Sequence, residues 1–279
     1  MAAVAQTLTL PCEHLFLGEV GCEWGVRYPG SGQVSVHTWR APDKDTPNED
    51  GAMVIWPSPG RMVLAVADGV GGMPEGDDAS ALALAALRDA VRVRLAEGAD
   101  LREAILSGFD RANRAVLRRS SGSATTLAVV EVDHGRLRSY HVGDSGVLVF
   151  GGRGRIRMQT ISHSPVGYAV EAGVIDEHEA MEHEDRHLVS NVVGDRGMHV
   201  GVSYPLRLNP LDTVLLASDG LFDNAFTDEI VQRLRKGRLH EAAGSLVGEC
   251  RERMAQALAG APGKPDDLTL VAYRPGVQR

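Results

Sequence analysis

Four short motifs rich in aspartate and glutamate are the residues of this chain best suited to chemistry. They are Asn48-Glu49-Asp50, Ala67-Asp68-Gly69-Val70-Gly71-Gly72, Ser218-Asp219-Gly220-Leu221-Phe222-Asp223 and Pro265-Asp266-Asp267-Leu268-Thr269. Each of the last three follows or opens a run of β-forming residues, which places its aspartate at the end of a buried strand. A carboxylate in such a place is costly unless a positive charge meets it.

Several aspartates that converge at strand ends would repel one another, and a shared cation is the simplest way to hold them together. Carboxylate and carbonyl oxygens without paired cysteine or histidine are the ligands of a hard metal ion, Mg²⁺ or Mn²⁺. Taken singly, each aspartate could equally be a turn residue or a helix cap. Together, the motifs predict a shared metal site.

The composition describes an acidic globular chain. Its 279 residues, 43% of them apolar, can bury a full core, and no linker or repeat divides them, so we expect one domain over 1–279. The net charge of −8 argues against binding to nucleic acid or to anionic membranes. The three cysteines lack the spacing of a disulfide framework or a zinc site. With no signal peptide and no long apolar run, we expect a cytoplasmic protein.

The hydrophobic pattern indicates the elements that must position the motifs. It predicts one helix that ends at Gly98, a second helix over 101–117 and a long helix near 239–258. Strand pairs are predicted on either side of Asp133-His134-Gly135 and across 145–159, and 163–200 is predicted to be irregular with a short helix near 176–183. Tight strand pairs with helices inserted in pairs favour an α+β fold, in which two packed sheets carry helices outside.

In their order along the chain, these motifs resemble those of the metal-dependent protein phosphatases, the PPM or type 2C family, in a bacterial-type form. The similarity runs from about Asn48 to Tyr273 and includes the following segments: Glu49-Asp50, Asp68-Gly69-x-Gly71-Gly72, Ser123-Ala124-Thr125-Thr126, Gly143-Asp144-Ser145, Ala217-Ser218-Asp219-Gly220 and Asp266-Asp267-Leu268-Thr269. Residues 163–187 are similar to the flap region of the family. Any one of these motifs is weak evidence, whereas the ordered set is specific.

The resemblance implies a four-layer αββα sandwich of two antiparallel sheets flanked by helices. It also implies hydrolysis of phosphoserine and phosphothreonine in proteins at a centre of two divalent cations, Mn²⁺ or Mg²⁺. Two such ions, about 3.5–4 Å apart, activate a water for in-line attack on phosphorus.

The site residues that the resemblance implies fall into groups. Asp68 would bridge both ions, the carbonyl of Gly69 would bind one of them, and Asp219 and Asp266 would complete the other, so these three aspartates are the candidate catalytic residues. Glu49 and Asp50 match the acidic pair of the family, and which of the two is a ligand stays open. Asp144 and Asp223 match a weaker third metal site.

Two positions depart from the family pattern. Val70 stands where some relatives have a histidine that is proposed as the general acid. Asp45 stands where the family often has an arginine that binds phosphate, and Lys44 or Arg40 could replace that arginine. A bidentate arginine is not readily replaced by a lysine, so the departure puts the phosphate clamp in doubt.

Other interpretations remain open beside the phosphatase. A catalytically weak module of the same fold would bind a phosphoprotein without turnover, and a phosphodiesterase or nuclease would use the same metals. The histidines His178, His183 and His187 raise the question of a zinc site, but their acidic setting favours a solvated flap. His141 and His163 are expected to be structural, and Trp24 and Trp39 to pack in the core. We expect a monomer whose substrates are phosphoproteins of a cognate serine/threonine kinase system.

Overall fold

The computed structural model describes residues 10–28, 32–70, 76–119, 122–256 and 262–276. The motif residues Gly71 and Gly72 lie outside these ranges, as does the far end of the helix predicted near 239–258. Within the described ranges the strands are β1 Cys12–Leu17, β2 Gly21–Tyr28, β3 Gly32–Trp39, β4 Asp50–Ser58, β5 Arg61–Asp68, β6 Leu127–Asp133, β7 Arg136–Val142, β8 Gly146–Phe150, β9 Ile156–Gln159, β10 Gly201–Val202, β11 Leu206–Arg207, β12 Thr213–Ala217 and β13 Leu268–Arg274.

These strands form two antiparallel sheets. The first sheet has the order β1-β4-β5-β6-β7-β10, with β11 also paired to β7, and the second has the order β2-β3-β13-β12-β8-β9. Because β12 and β13 are neighbours in the middle of the second sheet, the segments after β12 and before β13 lie side by side. The same holds for the start of β4 and the end of β5 in the first sheet. These four strand ends carry the acidic motifs.

Helices cover both outer faces of the sandwich. They are α1 Gly76–Ala96, α2 Leu101–Arg119, α3 Pro165–Glu171, α4 Glu177–Glu182, α5 Asp219–Phe222, α6 Thr227–Leu234 and α7 Leu239–Ala255, with a 3₁₀ helix at Glu184–His187. Helices α1 and α2 pack on the first sheet, and α6 and α7 pack on the second. This arrangement confirms the predicted four-layer αββα sandwich.

The position of β5 between two cores explains why its sequence is almost continuously apolar. Met62, Leu64 and Val66 lie in the core between the two sheets, whereas Val63 and Ala65 belong to the core under α1 and α2. Successive side chains of a strand point to opposite faces, so a strand covered on both faces needs apolar residues at every position.

The hairpin between β6 and β7 has the geometry that its sequence predicts. The two residues between the strands both adopt positive φ, 48° at His134 and 78° at Gly135. This combination is characteristic of the type I′ turn, whose twist matches that of the paired strands.

Three short helices, α3, α5 and α6, are not predicted from the sequence. Each spans eight residues or fewer, so the apolar periodicity covers too few turns to be recognised. Helix α3 nevertheless carries local signals: Ser164 caps it by accepting a hydrogen bond from the amide of Gly167, and Pro165 occupies its first turn. The helix predicted near 176–183 is present as α4, with a capping box at Asp176 and Glu179.

The aromatic residues singled out in the sequence are packing residues. Trp24 lies against Phe16 and Trp56 beside the core between the sheets. Trp39 packs against the guanidinium group of Arg251, which lies 4.0 Å from the centre of its ring.

The histidines in question are also accounted for by local contacts. His141 and His163 are buried and stack with ring centres 4.2 Å apart, as expected of structural residues. In the flap, the Nδ1 atom of His183 accepts a hydrogen bond from the amide of Asp185, and His178 packs on Phe226. These contacts favour the solvated flap over a zinc site.

Candidate metal centre

Asp50 and Asp68 lie beside each other on neighbouring strands of the first sheet. Asp50 opens β4, Asp68 closes β5, and the two are paired in the register of these strands. Oδ2 of Asp50 accepts a hydrogen bond of 2.7 Å from the hydroxyl of Ser218, while its Oδ1 is buried without a hydrogen-bond partner in the described part of the chain. Burial raises the pKa of both carboxyl groups, and nearby carboxylates, Asp267 for Asp50 and Asp50 for Asp68, raise each further.

The backbone around Asp68 is fixed by two threonines. The carbonyl oxygen of Asp68 accepts hydrogen bonds from the Thr126 amide at 2.8 Å and from the Thr125 hydroxyl at 2.7 Å. The amide of Asp68 donates to the Thr126 hydroxyl, which in turn lies 2.6 Å from the hydroxyl of Ser145. Through these hydrogen bonds, the motifs Ser123–Thr126 and 143–145 fix the position of the Asp68 backbone.

Gly69 allows α1 to approach the end of β5. A Cβ atom at this position would lie 2.4 Å from the carbonyl oxygen of Gly76, the first residue of α1. Since real Cβ atoms do not come so close to backbone, a side chain here would push α1 away from the acidic cluster.

The second sheet contributes a further group of carboxylates to the same end of the sandwich. Asp219 opens α5 two residues after the end of β12, Asp223 is the C-cap residue of this short helix, and Asp266 lies two residues before β13. Burial, followed by the charge of Asp219, raises the pKa of Asp223 to about 6 and that of Asp266 to about 7. The same two causes raise the pKa of Asp144 to about 7. The mutual influence of these groups shows that the carboxylates of both sheets converge.

A lysine that the sequence analysis did not single out lies among the carboxylates of the second sheet. Nζ of Lys264 is 2.7 Å from Oδ2 of Asp219, 2.8 Å from Oδ2 of Asp223 and 3.1 Å from Oδ2 of Asp266. These three charges raise the pKa of Lys264 against the opposing effect of its burial. A positive charge thus already occupies this half of the cluster.

Asp267 is a structural neighbour of the cluster. Its carboxylate accepts hydrogen bonds from the amides of Ala41 and Glu49, both at 2.7 Å, and forms an ion pair with Lys44 at 2.5 Å. It therefore anchors the segment before β4 to the start of β13.

Glu49 and the expected phosphate-binding residues lie at the edge of the site. Oε2 of Glu49 is 2.6 Å from the ammonium group of Lys44, so two carboxylates hold this lysine. Arg40 is half-buried in the same segment, and Asp45 is exposed and takes no part in the cluster. Of the acidic pair, Asp50 is the one buried within the cluster, whereas Glu49 is turned towards Lys44.

The described residues fit a hard cation by their chemistry, although their side chains are not arranged around one. No group of three histidine, cysteine, aspartate or glutamate side chains in the described ranges is placed to hold a metal ion as the side chains stand. Lys264 holds three of the carboxylates together instead, and Oδ1 of Asp50 lacks a partner. Mg²⁺ and Mn²⁺ prefer oxygen ligands, which the carboxylates of this cluster supply. Oδ1 of Asp50, buried without a hydrogen-bond donor in the described chain, is suited to bind such an ion.

Comparison with known proteins agrees with this geometry. A family model described as protein phosphatase 2C matches residues 41–259. The chain belongs to the protein phosphatase 2C family. The serine/threonine phosphatase stp of Listeria monocytogenes is 26% identical over 209 residues, which cover 72% of this chain and 82% of that protein. The serine/threonine protein phosphatase PstP of Mycobacterium tuberculosis is 30% identical over 220 residues, which cover 76% of this chain and 40% of that protein.

Solved structures show the same fold. The PPM Ser-Thr phosphatase MsPP from Mycobacterium smegmatis, a complex with cacodylate, superimposes with a TM-score of 0.71 at 28% identity and covers 87% of this chain and 98% of that chain. These comparisons confirm the prediction of a bacterial-type PPM phosphatase with the sandwich fold. At the level of the family they also confirm the predicted enzyme class and the predicted cofactors, Mn²⁺ or Mg²⁺.

A cleft of about 300 Å³ runs from the acidic cluster of this phosphatase 2C chain to the flap. It lies between Asp144, Asp219 and Asp223 on one side and α3 and α4 on the other. The flap residue Arg186 lines the cleft, and its charge partly offsets the rise that burial causes in the pKa of Asp223. Arg186 is thus a further cation beside the site. The sequence places Ser218 in a motif without indicating its role. Sequence reasoning missed Arg186 and Lys264, and of these two Lys264 had a signal, its place two residues before Asp266.

Proposed function

We propose that the protein hydrolyses phosphoserine and phosphothreonine in protein substrates with two divalent cations, Mn²⁺ or Mg²⁺. Asp68 would contact both ions, the carbonyl of Gly69 and Asp50 would complete one site, and Asp219 and Asp266 would form the other. Asp144 and Asp223 are the candidates for a third, weaker ion. The structure favours Asp50 over Glu49 as a ligand because Asp50 is buried within the cluster.

The observation that carries this proposal is the convergence of carboxylates from both sheets. Asp50 and Asp68 are opposite each other in the first sheet. The hydroxyl of Ser218, the residue before Asp219 at the end of β12 in the second sheet, donates a hydrogen bond to Asp50. Burial and mutual repulsion raise the pKa values of these acids, and bound cations would stabilise their anionic forms. Bound divalent cations stabilise negative charge on phosphoryl oxygens and make water a stronger nucleophile.

The cation that orients the phosphate is a separate question. Lys44 uses two of its ammonium protons for Glu49 and Asp267, which leaves a third for a phosphate oxygen. Arg40 is the other candidate from the same segment. Because Val70 replaces the histidine of some relatives, protonation of the leaving group would fall to water.

The test is release of phosphate from a phosphothreonine peptide in the presence of Mn²⁺. We expect Asp68→Asn and Asp219→Asn to lower kcat by at least about a hundredfold, because each removes a ligand charge. Asp110→Asn, an exposed change on α2, is the matched control and should retain full activity. Full activity in both ligand variants, or in excess EDTA, would refute the two-metal mechanism.

The non-catalytic module remains the second candidate, because an aspartate, Asp45, is exposed where a phosphate-binding arginine was expected. Such a module would bind the phosphopeptide without releasing phosphate at any metal concentration. A phosphodiesterase would instead cleave bis-p-nitrophenyl phosphate faster than the monoester. The same assay distinguishes these outcomes.

Further features of the enzyme are also proposals. Residues 1–279 would form a single catalytic domain with a flap at 163–187, active as a monomer in the cytoplasm and opposed by a serine/threonine kinase. The acidic net charge of −8 supports a protein rather than a nucleic-acid substrate. None of the helices in the described ranges combines the length and the apolar character needed to cross a bilayer.

A further inference from the structure

Lys264 lies among the carboxylates that the second sheet contributes to the candidate site. The chain contains three lysines, Lys44, Lys236 and Lys264, and the first and last both lie against acidic residues of the candidate site. Lys264 directs its ammonium group at three carboxylate oxygens within 3.1 Å. The ammonium group donates hydrogen bonds to Asp219 and Asp223 and forms an ion pair with Asp266.

The main chain of Lys264 is held as firmly as its side chain. The amide of Lys264 donates to Oδ1 of Asn224 at 2.8 Å, and Nδ2 of Asn224 donates to the carbonyl oxygen of Lys264 at 2.9 Å. Asn224 is fully buried and also donates to the carbonyl oxygen of Gly220 in α5. Since Asn224 follows Asp223 directly, the same turn fixes the carboxylates and the lysine that neutralises them.

We propose that Lys264 is an internal counter-cation that competes with a divalent metal ion for Asp219, Asp223 and Asp266. Without metal, the ammonium group neutralises these carboxylates and stabilises the fold. A metal ion that binds them must displace it, and the lysine then turns outward on its flexible side chain. The inference rests on the proposed metal centre.

The two halves of the cluster differ in this respect. In the described chain, the ion pairs of Lys264 lie on the Asp219 side, while Oδ1 of Asp50 on the other side is without a partner. An ion at Asp50 and Asp68 displaces no ammonium group. The first Mn²⁺ should therefore bind there, and the second should bind more weakly at Asp219 and Asp266.

The first experiment removes the charge of Lys264 and keeps the length of its side chain. Isothermal titration of the Lys264→Met variant with Mn²⁺ should show the weaker ion bound about tenfold more tightly than in the unmodified protein, since no ammonium group is displaced. The metal-free variant should melt at a lower temperature and gain more from Mn²⁺. Lys236→Met, at an exposed position, should change neither quantity.

The second experiment uses the unmodified protein and covers the case in which Lys264→Met fails to fold. Low-extent amine labelling, read by mass spectrometry, should modify Lys264 slowly without metal and faster with Mn²⁺, with exposed Lys236 as the internal reference. Labelling of Lys264 that is unchanged or slower with Mn²⁺ overturns the proposal. So do equal Mn²⁺ affinities in the unmodified protein and in a folded variant.

Failure of the metal centre itself gives a different result. If neither the unmodified protein nor Lys264→Met binds Mn²⁺, the proposed function fails together with the counter-cation. If both bind it with the same affinities, the metal centre stands and only the competition by Lys264 is refuted. Binding that appears only in Lys264→Met supports the competition directly.

Discussion

At the scale of single residues, the hydroxyl of Ser218 connects the two halves of the acidic cluster. It donates to Asp50 in the first sheet and accepts a hydrogen bond of 3.0 Å from the amide of Thr269 in the second. Ser218 is fully buried, so water cannot replace it for either partner. Together with the bonds of Asp267 to the segment before β4, this hydroxyl sets the distance between the carboxylates of the two sheets.

Replacing Ser218 by alanine should therefore affect both stability and metal binding. We expect Ser218→Ala to lower the free energy of unfolding by about 1–3 kcal/mol, because the buried amide of Thr269 loses its acceptor. Mn²⁺ affinity should fall several-fold as Asp50 loses its orientation. Urea unfolding and Mn²⁺ titration measure the two effects, and Ser245→Ala on the exposed face of α7 is the control. Unchanged stability would show that the bridge is not needed.

At the scale of elements, the site depends on how closely α5 approaches the start of β13. A Cβ atom at Gly220 would lie 1.9 Å from the carbonyl oxygen of Asp267. The backbones of α5 and of the segment before β13 are therefore in direct contact. This contact, together with the pairing of β12 and β13, brings Asp219 and Asp266, which are far apart in sequence, within reach of one cation.

A pair of glycine substitutions tests this approach. Gly220→Ala should lower the free energy of unfolding by about 3 kcal/mol or more, because backbone must move to accept the methyl group. Gly248→Ala in α7 meets no atom within 4 Å and should stabilise the protein by up to about 1 kcal/mol. Thermal unfolding of the two variants provides the comparison. Equal effects of both changes would contradict the close contact.

At the scale of the whole molecule, the layered architecture leaves histidines in places that water does not reach. His37 on β3 is fully buried, with its Nε2 atom 2.9 Å from the hydroxyl of Ser35, which is also 2.8 Å from Nδ1 of His240. Burial, followed by the charge of His240, lowers the pKa of His37 from 6.5 to about 3. A neutral histidine is thus part of the packing between the second sheet and its helices.

This buried histidine should make the protein sensitive to acid. Because the pKa of His37 is lower in the folded state, the unfolded chain binds more protons below about pH 6.5, and stability falls as the pH drops from there towards about 3. Between about pH 7 and pH 5, His37→Gln should lose about 2 kcal/mol less stability than the unmodified protein. Urea unfolding at both pH values measures this, and the exposed His134→Gln should follow the unmodified protein. Parallel pH profiles for all three proteins would refute the assignment.

The sequence and the structure agree best where a signal is local or repeated. The apolar stripes of α1, α2 and α7 and the turn at His134-Gly135 could be recognised because periodicity and turn chemistry depend on neighbouring residues. Helix α6 could not, since its eight residues give too short a pattern. The contacts of Arg186 and Ser218 could not be predicted either, because their partners are distant in the sequence.

The sequence by itself determined the family, the sandwich and the set of acidic residues, because these follow from motif order and from apolar runs at strand positions. Only the tertiary structure decided which hydrogen-bond donor or positive charge each carboxylate contacts. It places Asp50 within the cluster and turns Glu49 to Lys44, and it inserts Lys264 among Asp219, Asp223 and Asp266. The physical reason is that charge pairing depends on distances between strand ends, which the packing of two sheets sets and which no spacing along the chain records.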